Sequence, residues 1–371
     1  MYSNKKVRSI LTAFLYREKR TFTRREGFWF HHRKVLLSIK TLIAITDADL
    51  KRIFFPDHVL ERLRSFSEID WLETRTLDSS KQLADIIGDY DACLTSWGSP
   101  HFSEEVLNSA DKLQFIGHIA GSVVSLVHEE VFTKKITITS ANPVLALSTA
   151  EGAVALMMAG AWDINRFSSS LKKGHWSNNN GDTVMGISGQ TIGLVGYGAI
   201  SQNVIRLLKG FPVVIKVASR YCTKDEADQL GVELCSLQEL LQSCQIISIH
   251  STLTASSKGM IGKQELALIR DGALLVNTAR AEIIDEAALM EELQTKRFSA
   301  VLDVYHHEPL LADDPLHALD NVLCLPHICG FSIKRKQAMG EFVVEDLYRF
   351  TQGLPLQGGL TKDDYKRQSR H

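Results

Sequence analysis

Apolar residues in this chain fall into two patterns. Some form short continuous runs, which read as buried strands. Others recur every three or four positions, which reads as amphipathic helix. By this test TLIAIT (41–46), DACLTSW (91–97), KLQFIGHIA (112–120) and ITITSA (136–141) are strands. Helical spacing falls between them at 54–66, 81–87 and 103–110, the last opening on a capping serine with acids in its first turn. A long stretch, 149–167, is apolar on nearly every side and predicts a helix buried between layers. The segment 172–190 is rich in Gly, Asn and Ser and reads as a crossing loop.

A second alternating series follows that loop. Strands are predicted at 191–198, 213–220, 245–250, 272–279, 298–305 and 321–326. Helices are predicted at 199–210, 237–244, 263–269, 286–297 and 334–353. Strands separated by helical segments of this length imply parallel βαβ units. The expected fold class is therefore α/β: two Rossmann-like or flavodoxin-like doubly wound parallel-sheet domains with a cleft between them.

Composition adds a boundary. The 371 residues carry 42 Lys+Arg against 43 Asp+Glu, a formal net charge of −1, which gives no reason to expect nucleic acid as a partner. The first 40 residues nevertheless hold 11 basic side chains against Glu18 and Glu26, so a basic arm precedes an acidic body. No run approaches 18 uninterrupted apolar residues, and no membrane contact is expected. Cys93, Cys222, Cys235, Cys244, Cys324 and Cys329 form no CxxC pair and no zinc spacing, as in a reduced cytoplasmic protein without a metal site. The expected organisation is a basic, disordered arm (1–40), a substrate domain (41–142 with 331–358), a dinucleotide domain (143–330) and a polar tail (359–371).

The chemistry starts at the opening of the second series. Gly196-Tyr-Gly198-Ala199-Ile200-Ser201 approximates GxGxxG between a strand and a helix. Glycines there permit a tight turn and close approach of a pyrophosphate to the helix N-terminus, whose free N–H groups favour anions. An acid at the end of the next strand would bond a ribose 2′-hydroxyl. This chain has Ser219-Arg220 instead, which suits a 2′-phosphate and predicts NADP(H) over NAD(H).

With these motifs in order, the chain resembles the D-isomer-specific 2-hydroxyacid dehydrogenases. The carriers are TIGLVGYGAIS, SIHSTLT, LLVNTARAEIIDEAAL, LDVYHHEPL and LPHICG, and the resemblance runs from about 41 to 353. It implies a catalytic trio. Arg280 would bind the substrate carboxylate, His327 would exchange the proton, and Glu308 would pair with that histidine. Hydride addition to a ketone builds charge on oxygen that must be protonated as it forms. Histidine beside a carboxylate serves that need. Asp303 matches the position near the nicotinamide carboxamide, Thr278 and Ala279 match backbone contacts to the cofactor, and Gly330 lies in the histidine loop. Gly121 and Ser122 fall where the family grips the substrate carboxylate by backbone amides.

The family also implies homodimers. This chain departs from the family pattern at Ala281, Ala199, Val123 and Leu145, where Gly, a basic residue, Asp and Asn are usual. The expected activity is NAD(P)H-dependent reduction of a small 2-oxo acid to a D-2-hydroxy acid. The alternatives are D-3-phosphoglycerate dehydrogenase activity and a non-catalytic dinucleotide-sensing corepressor or scaffold.

Overall fold

The computed structural model describes residues 39–73, 79–176 and 184–368. The expected arm (1–40) lies outside these except for its last two residues, and the crossing loop 172–190 is described only at its ends. Among the described residues the chain forms two sheets in which every strand pair is parallel.

The first sheet contains β1 (Ile39–Ile43), β2 (Ser67–Trp71), β3 (Ala92–Thr95), β4 (Phe115–His118) and β5 (Thr137–Ser140), ordered β2-β1-β3-β4-β5. The second contains β6 (Thr191–Val195), β7 (Val214–Ala218), β8 (Glu233–Leu234), β9 (Ile246–Ile249), β10 (Leu274–Asn277), β11 (Ser299–Leu302) and β12 (Val322–Cys324). Its order is β12-β11-β10-β9-β6-β7-β8. The central strands β3, β4, β9 and β10 are buried at every position, as parallel strands covered on both faces must be.

Both sheets place β–helix turns at one edge, so the chemistry-bearing residues gather beyond the carboxyl ends of the strands. The closing helix Ile333–Thr351 returns to the first sheet and packs Met339, Val343 and Leu347 beside Leu94 and Phe115.

Several expected elements take different bounds. The long helix runs Asn142–Ala161, not 149–167, because Pro143 near its first turn favours an early start. A separate helix, Ile164–Lys172, follows after Asp163 turns the chain in the left-handed region. By length and composition the first of these could cross a bilayer, but Ala150, Ala153 and Met157 pack into the core of the second sheet. The expected helix 54–66 forms over Asp57–Arg64, and an unexpected helix, Ala48–Phe54, precedes it; Pro56 supplies no N–H to continue that first helix. The expected polar tail, 359–371, is structured over its described part. Gly359 bridges Thr139, and the helix Lys362–Lys366 buries Tyr365.

Candidate active site

The glycine turn forms at the end of β6. Gly196 has φ +103°, and a Cβ there would stand 2.7 Å from the Ser251 backbone nitrogen, so only glycine fits. Gly198 is extended, with open space beside it, and caps the helix Ala199–Leu208. Ala199 and Ile200 open that helix, where backbone N–H groups lack intrahelical partners. Ser201, the departure from the third glycine, is fully buried and donates its hydroxyl to Gly196 O at 2.9 Å, tying the turn closed.

Ser219 and Arg220 follow β7, the neighbour of β6. Ser219 accepts from Tyr221 N at 3.2 Å. Arg220 is exposed, donates to Ser256 Oγ at 3.2 Å and lies 5.0 Å from the Tyr221 ring centre. Thr278, just past β10, is buried with its Oγ1 unpartnered. A buried hydroxyl without a partner is uncommon and costly. That orphan, the glycine turn and the bare helix start fit a dinucleotide laid across the strand ends.

Past β10, Asn277 bonds both Ala279 N and Arg280 O at 3.0 Å and so braces the segment that carries Arg280. Arg280 Nη1 donates to Ala279 O at 2.7 Å. Burial pulls its guanidinium below the usual value, against the opposing influence of Glu282 and Glu308.

His327 and Glu308 meet directly: Nδ1 lies 2.7 Å from Glu308 Oε2. The other carboxylate oxygen accepts from Tyr305 N at 3.0 Å. Burial works to raise the Glu308 pKa, but the bonds from His327 and Tyr305 prevail and hold it below the usual carboxylate value. His306, left without a role by its sequence, bonds Ile284 O at 3.2 Å.

Asp303 lies fully buried just past β11. Both its oxygens accept backbone N–H bonds at 2.8 Å, from Ile328 and Cys329. The resemblance places this residue beside the nicotinamide; within the chain its carboxylate secures the loop carrying His327. Gly330 has φ +106°, and a Cβ there would meet Leu145 and Thr149 at 3.0 Å.

A cleft of about 210 Å³ opens beyond the carboxyl ends of β3 and β4 and reaches Arg280. It is lined by Gly121 and Ser122 beyond β4, by Ser96, Trp97 and Ser99 beyond β3, and by His118, Leu145 and Arg280 among others. Arg280 is the one cationic side chain among the described lining residues. Trp97 packs edge-on against Phe331 with centres 5.5 Å apart, and Phe331 lies 6.0 Å from the His327 ring. The structure therefore gathers Gly121, Ser122 and Arg280 around one cavity, with Glu308 and His327 paired nearby. Ser219 and Arg220 stand apart, past β7.

Trp97, His118 and Phe331 are absent from the sequence-derived site. Their signal is their place: His118 at the last position of β4, Trp97 just past β3 and Phe331 just past the histidine motif. Leu145 touches both halves of the site, since added Cβ atoms on Gly121 and Gly330 would meet it at 3.1 and 3.0 Å.

Comparison with known proteins agrees with this layout. A family model described as D-isomer specific 2-hydroxyacid dehydrogenase, NAD binding domain, matches residues 154–329. The chain is 31% identical over 302 residues to a glyoxylate reductase of Korarchaeum cryptofilum, covering 80% of this chain and 91% of that one. It is 32% identical over 292 residues to a D-3-phosphoglycerate dehydrogenase of Archaeoglobus fulgidus, covering 78% of this chain but 55% of the relative. The chain thus spans about half the length of that second relative. Among solved structures, the TT0316 protein of Thermus thermophilus superposes with a TM-score of 0.71 at 26% identity, covering 87% of this chain and 100% of that one.

Proposed function

The chain belongs to the D-isomer-specific 2-hydroxyacid dehydrogenase family, and from that premise we propose that it reduces a small 2-oxo acid to the D-2-hydroxy acid. The observation that carries this reading is the Glu308–His327 pair at 2.7 Å, near a cleft in which Arg280 is the lone lining cation.

The roles follow from chemistry. Arg280, planar and permanently charged, holds the substrate carboxylate together with the amides of Gly121 and Ser122. Glu308 engages Nδ1 of His327 and leaves Nε2 to give a proton to the carbonyl oxygen as charge builds there. A nicotinamide dinucleotide supplies the hydride when bound, its pyrophosphate at Gly196, Gly198, Ala199 and Ile200. Thr278, Ala279, Asp303 and Gly330 flank the nicotinamide end. Ser219 and Arg220 favour NADPH, because an exposed guanidinium just past β7 can pair with a 2′-phosphate and no carboxylate stands there to bond a free 2′-hydroxyl.

The same cleft ranks the substrates. Arg280 is committed to the carboxylate, and the remaining lining is mostly serine hydroxyls, Trp97 and Leu145. A phosphorylated substrate such as 3-phosphohydroxypyruvate would need a second cation. Glyoxylate or hydroxypyruvate fits better, and D-3-phosphoglycerate dehydrogenase activity is the weaker reading. Exposed Trp162, Ile164, Leu171 and Trp176 support a homodimer formed through this region.

The test is oxidation of NADPH, and separately NADH, with glyoxylate, hydroxypyruvate, pyruvate, phenylpyruvate and 3-phosphohydroxypyruvate. Turnover of a small unphosphorylated acid is expected, and His327→Ala should abolish it while leaving cofactor binding intact. Cofactor binding without turnover of any acid would overturn the reading in favour of a dinucleotide-sensing scaffold.

A further inference from the structure

The peptide unit joining Ser122 to Val123 is held at both ends, from opposite directions in the sequence. Val123 N–H donates to Gln368 Oε1 at 2.8 Å, across 245 residues. The backbone of Ser122 bonds the imidazole of His118, and that bond favours the protonated ring, as a carbonyl acceptor does. His118 is itself buried and pinned through Nδ1 to Thr95 Oγ1 at 3.1 Å. Fixing the C=O and N–H of one peptide unit fixes its plane, because the unit is rigid. That plane adjoins the amides of Gly121 and Ser122.

Gln368 can do this because the segment before it is anchored along its length. Buried Asp346 accepts from Gln357 N and Gly358 N at 2.8 Å. Leu360 N donates to Ile138 O at 2.9 Å, extending the bridge between Thr139 and Gly359. Thr361 and Asp364 form a capping box that starts the helix Lys362–Lys366. Tyr365 then goes into the core, donates to Val127 O at 2.8 Å and meets Phe132 edge-on at 5.4 Å. The segment therefore attaches to the Ala120–Val127 stretch at two points, Val123 and Val127.

We propose that Gln368 is a positioning residue for substrate binding: it orients the amides of Gly121 and Ser122 toward the carboxylate without touching the substrate. This rests on the carboxylate-gripping role given above to those amides. Hydrogen bonding from a distant segment adds to the loop's own bonds, from Leu126 N and Val127 N to Val123 O, at a position where Val123 stands in place of the family's usual aspartate. Val123 is fully buried and has no side-chain polar group to hold the turn.

The experiment compares the full chain with Gln368→Ala and Gln368→Glu by steady-state kinetics, thermal unfolding and hydrogen exchange of the peptide 120–127. Gln368→Ala should raise KM for the 2-oxo acid by about 3- to 10-fold, the worth of one hydrogen bond, with kcat and the KM for cofactor unchanged. Exchange across 120–127 should quicken while the unfolding temperature holds. Gln368→Glu keeps an acceptor at the same reach, so protection of 120–127 should return. Unchanged exchange in Gln368→Ala overturns the proposal, as does an unchanged KM in an enzyme that turns over a 2-oxo acid. If the native chain turns over no such acid, the reading of the function falls on its own, and exchange across 120–127 alone decides whether Gln368 positions the loop.

Discussion

Asp303 holds His327 in place without touching its ring. The His327 backbone sits at φ +51°, a conformation that costs a non-glycine residue on the order of 1 kcal/mol. The next two amides, Ile328 and Cys329, both end on the buried carboxylate of Asp303. Two charge-assisted bonds thus offset the strain and aim the imidazole at Glu308. Replacing Asp303 with Asn leaves one amide facing an NH₂ group, an unsatisfied buried donor. The loop should relax, and kcat/KM should fall by about 10²-fold, the scale of a slightly misplaced catalytic group. Steady-state kinetics together with cofactor titration would check this. Normal turnover in the variant would show that the loop orders itself without Asp303.

The same loop is fitted from its other side. Cys329 Sγ lies 2.7 Å from where a Cβ on Gly152 would stand, and the Cys329 Cβ lies 3.2 Å away. Gly152 is in the interior of a 20-residue helix, where glycine is normally a liability. Gly152→Ala should gain helix propensity yet lose more to overpacking, which costs about 1–3 kcal/mol. It should also push the His327 loop and lower kcat. Adding Cys329→Ala removes the sulfur and should recover most of both losses. A double-mutant cycle on unfolding temperature and kcat measures the coupling. Additive effects would mean the contact is slack.

Arg220 is the place to test the cofactor. It stands exposed, held by Ser256 and stacked near Tyr221. If it receives a 2′-phosphate, Arg220→Ala should lower kcat/KM with NADPH by about 10- to 100-fold, as loss of a charge-assisted bond does. The value with NADH should scarcely change. Equal losses with both cofactors would assign Arg220 to the loop structure instead.

What the sequence made legible is the part of the site whose chemistry demands particular residue types at strand ends. Gly196, Arg280, Glu308 and His327 all stand just past strong apolar runs, which place them at strand ends; the resemblance of the motifs, not the runs, singles them out together. The rest depended on contacts that spacing does not encode. The two amide partners of Asp303 lie 25 and 26 residues ahead of it. β2 is not among the expected strands, because SEIDW alternates between covered and exposed positions at a sheet edge and reads as a helix tail. The C-terminal segment LTKDDYKRQ has one buried aromatic, Tyr365, in a polar stretch, so its docking was hidden, although its Thr361–Asp364 cap was readable.

Acid stability gives a prediction that needs no substrate. His118 and His250 are both buried, and burial pushes each imidazole down from 6.5 to about 4. The unfolded chain therefore takes up protons between about pH 6.5 and 4 that the folded chain refuses. Stability must rise with pH in that window: it is fully present above 6.5 and is lost progressively toward 4, by up to about 3 kcal/mol per histidine. His101, more exposed but also shifted down by burial, adds to the same trend. The carboxylates with lowered values act elsewhere. Asp70, bonded by Tyr90 and Lys40, Asp364, capped by Thr361, and Glu308 contribute stability above their ordinary range of about 4 and lose it only below that. Unfolding temperature measured from pH 7.5 to 4.5 should thus isolate the histidines. The His250 imidazole pairs with Ser248 Oγ at 3.0 Å, so His250→Asn removes one titrating group at modest structural cost. Its unfolding temperature should depend on pH less steeply, by about one proton's worth of linkage. An unaltered slope would mean that His250 is charged in the folded protein, at odds with its burial.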